Sequence, residues 1–256
     1  MLEVYRTNYF YSEKHVLKNI DLKVDRGEII AFIGPNGSGK STLLRCLAGI
    51  YSPQKGEVKL YGKDINTYSR KTLSKHISLL PQSLANIKHI NVRDLVARGR
   101  SPHQAMGWSE SKTDREKIDW ALNYMDLYRF KDLSLNKLSG GERQRAWIAM
   151  IIAQDTDYIL LDEPVNYLDI KYQLDLLKKV SEIQKELNKS FILVLHDINH
   201  SLSVADRVIV LKEGRIYREG RAEEVITAPL IQEVYGVCAQ VCHISGCPRP
   251  VIVPVA

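Results

Sequence analysis

Two segments of this chain hold residue types that could do chemistry: GPNGSGKST from Gly34 to Thr42, and YILLDE from Tyr158 to Glu163. The first satisfies the phosphate-loop pattern G-x-x-x-x-G-K-[ST], with an apolar run before it and a helical pattern after it. Gly34, Gly37 and Gly39 let the backbone bend so that successive amides point inward, while Pro35, Asn36, Ser38 and Thr42 complete the cradle. A helix N-terminus behind the loop adds partial positive charge. Lys40 brings a full charge to β- and γ-phosphates, and the Ser41 hydroxyl can ligate magnesium. In YILLDE, Asp162 is the candidate on the magnesium side. Glu163 is the candidate general base, turned away from the metal and toward a water in line with the γ-phosphate. Alone, two acids closing an apolar strand would be a solvated strand end; the phosphate loop upstream favours hydrolysis.

Those residues need a scaffold, and the hydrophobic patterning describes one. The chain has 256 residues, 45% of them hydrophobic, enough for a substantial core. IDLKV from Ile20 to Val24 alternates, whereas EIIAFIG from Glu28 to Gly34 is almost continuously apolar, as a buried central strand would be. A helix is expected through STLLRCLAG, ending at Gly49, then turn residues SPQKG and a strand EVKLYG. From about Val92 to Asp132 the sequence becomes charged and helix-forming, with Ile118, Ala121, Leu122 and Met125 at helical spacing, which reads as a helical insertion. YILLD, FILVLHD and RVIVLKEG are three further apolar runs separated by helical patterns. Together these predict an α/β fold with a mostly parallel sheet wrapped by helices.

Composition narrows the classes. No run approaches the roughly 18 apolar residues of a membrane span, and the N-terminus lacks the marks of a secretory signal, so a cytoplasmic location is expected. Lys and Arg exceed Asp and Glu by 36 to 30, scattered rather than clustered. That balance suits phosphate ligands or an anionic membrane surface without requiring nucleic acid. Four cysteines do not suggest a secreted disulfide framework.

LSGGERQ from Leu138 to Gln144, followed by an amphipathic helix and then YILLDEP, resembles the ATP-binding cassette ATPases over essentially the whole chain. The resemblance implies a P-loop NTPase core with an N-terminal antiparallel β subdomain, ATP and magnesium as ligands, and one cassette domain over residues 1–236. A helical subdomain is then inserted at about 84–150, and residues 237–256 form a tail. It also implies that Ser139, Gly140 and Gly141 cap the γ-phosphate held by a second copy, so that hydrolysis needs a face-to-face homodimer. Ser139 is equally placed to cap the helix GGERQRAWIAM. Tyr11, ahead of VLKNIDLKV, matches the aromatic that stacks on adenine, with Tyr5 and Tyr9 as neighbouring competitors. Gln82 in LLPQ matches the glutamine that contacts magnesium or the attacking water. His196 matches the switch histidine that contacts the γ-phosphate; a zinc pair with His200 is the rival reading of HDINH. Asp169 matches the aspartate that crosses the dimer interface. Val165, Asn166 and Tyr167 depart from the usual pattern, a departure expected to affect coupling between sites and to leave the chemistry of Asp162 and Glu163 intact.

NVRDLVARGRSPH from Asn91 to His103, with LDIKYQ, VLHDIN, EVYGV and VIVP, is similar to the ATPases of importers for iron-siderophores, haem and cobalamin. That similarity implies a peripheral subunit on the cytoplasmic face of the membrane. It would be docked on a permease through the groove beside Gln82 and served indirectly by an extracytoplasmic binding protein. Import of another cargo, such as molybdate, is the nearest alternative. A chromosome-type ATPase would be split by a long heptad region and a ribosomal factor would carry two cassettes; neither fits this length, and no nucleic-acid partner is expected. Cys238, Cys242, His243 and Cys247 in the tail are unexplained by the resemblance. They could hold a metal, but their spacing misses the usual C-x-x-C pair.

Overall fold

The computed structural model describes residues 1–85, 87, 89–104, 110–166, 168–246 and 249–255. Strands β1 (Leu2–Tyr11) and β2 (Lys14–Val24) form an antiparallel hairpin whose inward residues, such as Leu17, Ile20, Leu22 and Val24, are buried. The apolar strand β3 (Ile29–Ile33) is buried at every position and leads through the glycine loop into α1 (Lys40–Leu47). Next come β4 (Lys55–Leu60), β5 (Lys63–Asp64), α2 (Arg70–Leu73) and β6 (Ile77–Leu80). Helices α3 (Val92–Arg98), α4 (Lys112–Tyr124) and α5 (Gly140–Ala153) follow as an insertion before β7 (Tyr158–Asp162). The chain then alternates through α6 (Ile170–Leu187), β8 (Ser190–Val194), α7 (Ile198–Val204), β9 (Arg207–Lys212) and β10 (Arg215–Arg221). It ends with α8 (Ala222–Val225), α9 (Ala228–Tyr235) and the strands β11 (Ala239–Cys242) and β12 (Val251–Pro254).

Six strands form one sheet in the order β10-β9-β3-β8-β7-β6, and every pair is parallel except the edge pair β10–β9. Strands β2-β1-β4-β5 form an antiparallel sheet beside it. This is the expected α/β fold, a mostly parallel sheet with an antiparallel N-terminal sheet and a helical insertion. The continuous apolarity of β3 has a direct cause, because its alternate side chains serve two cores. Ile29, Ala31 and Ile33 join a core with the insertion and α6, while Ile30 and Phe32 join one with α1 and the antiparallel sheet. The central strand, and hence the loop at its end, is held from both faces.

The expected helical face of the insertion, Ile118, Ala121, Leu122 and Met125, is buried. α3 lies so close to α5 that a Cβ on Gly99 would meet the Met150 carbonyl oxygen at 2.2 Å. The hairpin β11–β12 rests on α7: Asn199 exchanges two hydrogen bonds with the backbone of Ile252, at 2.8 and 3.1 Å. Cys238 is exposed and Cys242 half-buried, while Cys247 lies outside the described residues, as does Tyr167. Among the described residues no helix is long and apolar enough to cross a membrane.

Candidate active site

The phosphate loop is shaped by close packing. Gly34 has φ +136, and a Cβ there would lie 2.0 Å from the Leu211 carbonyl oxygen, so β9 admits only glycine at that point. The turn after β9 supports the far side of the loop, where the Gly214 amide donates to the Ser38 carbonyl at 3.2 Å. Gly39, at the N-cap of α1, has no side chain to cap the helix, which leaves its first amides available to an anion. Lys40 is 5% exposed, and its ammonium donates to the Gly34 and Pro35 carbonyls at 2.8 and 2.9 Å. Burial lowers its pKa, opposed by the nearby carboxylates of Glu163 and Asp162.

The Ser41 hydroxyl donates to Asp162 Oδ1 at 2.8 Å, and Asp162 Oδ2 is buried with no hydrogen-bond partner among the described residues. A buried, unsatisfied carboxylate oxygen beside a hydroxyl is a hard-oxygen donor set of the kind magnesium takes. Burial pushes the Asp162 carboxyl above its ordinary pKa, opposed by Ser41, Arg45 and Lys40 and reinforced by the charge of Glu163. The sign follows from linkage: the native state holds this proton more tightly than the unfolded chain. The contribution to stability is therefore greatest in acid, and it falls as pH rises from the ordinary value of 3.8 through the raised native one. We expect Asp162→Asn to raise the melting temperature of the nucleotide-free protein at neutral pH by about 2–5 °C while abolishing magnesium-dependent hydrolysis. An unchanged or lower melting temperature would refute the first half of that expectation.

Glu163 follows β7 with φ +56, in the left-handed region, and is 8% exposed. Such a backbone is uncommon for a side chain of this size and turns the carboxylate out of line with the strand. Three donors converge on it. His196 Nε2 lies 2.6 Å from Oε1, Gln82 Nε2 donates to Oε2 at 2.6 Å, and the side-chain amide of Asn166 donates to the same Oε2. The Asn166 contact places one of the departures at 165–167 directly against the candidate base. Val165, by contrast, is buried in the larger core, where a methyl suits its surroundings. His196 stands two residues past β8 and outside α7, which begins at Ile198 behind the cap Asp197; its ring is engaged by Glu163.

Tyr11, Asn36, Gly37, Gly39, Lys40, Ser41, Thr42, Gln82, Glu163 and His196 line one cleft of about 730 Å³. Gly34, Pro35 and Ser38 form the loop beneath it, and Asp162 joins through Ser41. Of the three candidate tyrosines, Tyr9 is buried and stacks on Tyr51 at 5.1 Å, and the Tyr5 hydroxyl donates to Glu3, leaving Tyr11 at the cleft. Residues that the motifs did not single out also line it: Lys14, His15, Val16 and Lys18 from β2, and Glu213 and Gly214 from the β9–β10 turn. The β2 residues could have been found from their nearness to Tyr11. Nothing local marks Glu213.

Ser139, Gly140, Gly141 and Asp169 do not line this cleft. Ser139 caps α5 in a reciprocal box with Glu142, whose carboxylate accepts from the Ser139 amide at 2.9 Å. That bond holds the Glu142 pKa below its ordinary value. Asp169 caps α6 by accepting from the Tyr172 amide at 3.2 Å. Ser139 and Gly140 remain exposed.

The model of the ABC transporter family matches residues 17–166. The chain is 41% identical over 244 residues to the ferric enterobactin transport ATP-binding protein FepC of Escherichia coli (strain K12), covering 95% of this chain and 90% of that one. A solved inward-facing structure of a metal-chelate type ABC transporter contains a chain that superposes with a TM-score of 0.86 at 26% identity, covering 100% of this chain and 97% of that one. The ATP-binding cassette MJ0796, in a dimeric post-hydrolysis state with ADP and phosphate, superposes with a TM-score of 0.76 at 29% identity, over 87% of this chain and 99% of that one. With the phosphate loop, the paired acids and the six-stranded sheet in place, the chain belongs to the ABC transporter family as one of its nucleotide-binding, ATP-hydrolysing cassettes.

Proposed function

We propose that this chain is the ATPase subunit of an importer for an iron chelate, or for haem or a cobalamin-type cargo of the same group, working as a homodimer on the cytoplasmic face of a membrane. The observation that carries the reading is the 41% identity to a ferric enterobactin transport ATPase across 95% of the chain. In this reading the loop amides and the start of α1 hold the phosphates, and Lys40 exchanges the Gly34 and Pro35 carbonyls for phosphate oxygens. The Tyr11 ring stacks on the base. Ser41, Asp162 and Gln82 hold magnesium, which neutralises charge on the phosphate oxygens when bound. Glu163 takes the proton from the attacking water, and His196 holds the catalytic geometry around it.

LSGGERQ stands outside the cleft with Ser139 and Gly140 exposed, which supports the assignment of Ser139, Gly140 and Gly141 to a second copy's γ-phosphate, with Asp169 at the interface between the two. The dimeric MJ0796 cassette supports the pairing of two copies. A second cleft of about 410 Å³ on the insertion, with Ile90, Arg93 and Ala97 in its lining, suits a short helix from a permease, behind which a substrate-binding protein would act. Purification from native membranes tests the reading. It should recover a polytopic permease with this chain, and recovery with ribosomes or DNA and no permease would overturn it.

A further inference from the structure

The proposed hydrolysis places two demands on the groups around Glu163. His196 is assigned to the γ-phosphate and Gln82 to magnesium or the water, yet in the structure both donate to the Glu163 carboxylate. Each is held on a different element, His196 past β8 and Gln82 past β6, so each can be drawn to a bound ligand. Asn166 is in a different position. It is three residues from Glu163 in a closed turn, its backbone amide donating to the Glu163 carbonyl at 3.3 Å while its side chain donates to Oε2.

That turn is pinned from outside. Gln144 Nε2 donates to the Pro164 carbonyl at 3.1 Å, and Gln173 Nε2 donates to the Val165 carbonyl at 3.4 Å and to the Leu168 carbonyl just beyond the turn at 2.8 Å. Val165 and Leu168 anchor it in the core. Once His196 and Gln82 are drawn to a ligand, Asn166 is the remaining one of the three donors described on the Glu163 carboxylate. A pinned amide bonded to one of its oxygens restrains the carboxylate and leaves the other oxygen for water.

We infer that Asn166 is a positioning residue for hydrolysis, holding Oε2 of Glu163 so that Oε1 is presented to the attacking water once His196 is engaged by the nucleotide. The inference rests on the reading of Glu163 as the base. Because Gln144 belongs to LSGGERQ, the turn that orients the base is hydrogen-bonded to the segment offered to the second copy.

The test compares Asn166→Ala, Asn166→Asp and Asn166→Ser in magnesium-ATP turnover, with folding followed by circular dichroism. Asn166→Ala should lower kcat about tenfold with KM for ATP changed by less than about twofold. Asn166→Asp keeps the size and places a like charge against Glu163, so its loss should be larger, about a hundredfold. Asn166→Ser, which retains a donor, should recover part of the rate. In a Glu163→Gln background, Asn166→Ala should leave ATP affinity and the ATP-induced dimer unchanged. A kcat within about twofold of wild type for either the Ala or the Asp variant overturns the inference. Loss of the ATP-induced dimer in the Glu163→Gln background also overturns it, by assigning Asn166 to the interface. Should Asn166→Ala fail to fold, the near-isosteric Asp variant and the smaller Ser variant decide. If Glu163→Gln alone hydrolyses ATP at the wild-type rate, the base assignment fails instead, whatever the Asn166 variants do.

Discussion

Glu163→Gln is expected to reduce ATP turnover by at least about a hundredfold while ATP binding persists. An amide has nearly the shape of the carboxylate but cannot take a proton from water. The surrounding donors can adapt to it: the new amide oxygen can accept from Gln82 and Asn166, which both face Oε2 in the wild type. The new amino group then faces His196 Nε2, and that ring can change tautomer to accept the bond. The substitution therefore removes the base with little disturbance of the cleft. Without hydrolysis, the ATP-bound dimer should accumulate and be visible by size-exclusion chromatography. Turnover near the wild-type rate would assign proton transfer to another group.

The largest stability effect is expected at Arg100→Ala, far from the nucleotide cleft. Arg100 and Asp114 are each 4% exposed and are joined by a hydrogen-bonded ion pair, Nε to Oδ1 at 2.8 Å. Nη1 of the same side chain donates to the Ala153 carbonyl at 2.8 Å, closing the C-terminal end of α5. One guanidinium thus ties together all three helices of the insertion. Removing it leaves the buried Asp114 carboxylate without its counter-charge, with Oδ2 still served by Ser111, and takes the donor from a helix-end carbonyl, at a cost of roughly 3–5 kcal/mol. Denaturant unfolding should show that loss, and a change below about 1 kcal/mol would contradict it. Replacing both partners with apolar residues of similar volume should recover much of it.

Asp114 also contributes to the pH dependence of this lobe. Burial alone would raise its pKa, but the donors Arg100 and Ser111 outweigh it and hold it below the ordinary 3.8. The native state thus binds this proton more weakly than the unfolded chain. The stabilisation is complete above the ordinary value and is lost as pH falls through the lowered native one, the reverse of Asp162.

How much of the site could be read in advance depended on distance along the chain. The phosphate loop was legible because its strand, glycine turn and helix are contiguous and each has a local signature. Even so, only the fold revealed that β9 forces glycine at position 34, since Leu211 is remote in sequence. Tyr11 could not be separated from Tyr5 and Tyr9 by type or spacing. The strand's packing separated them, burying Tyr9 and pairing Tyr5 with Glu3. Asn166 was read as a matter of coupling because its contact with Glu163 depends on a left-handed backbone at 163 and a turn pinned by Gln144 and Gln173.

The motifs thus pointed to the fold, the ATP-hydrolysing class and the family, because phosphate-loop, helix-cap and buried-strand patterns are encoded over a few adjacent residues. Which groups meet was decided elsewhere. Gln82, Asn166 and His196 reach one carboxylate only because β6, β7 and β8 lie side by side in the parallel sheet. LSGGERQ stays out of the cleft because the insertion carries it on α5, with Ser139 turned to solvent. Such juxtapositions join residues up to 121 positions apart, as Ser41 and Asp162 are, and no local pattern records them.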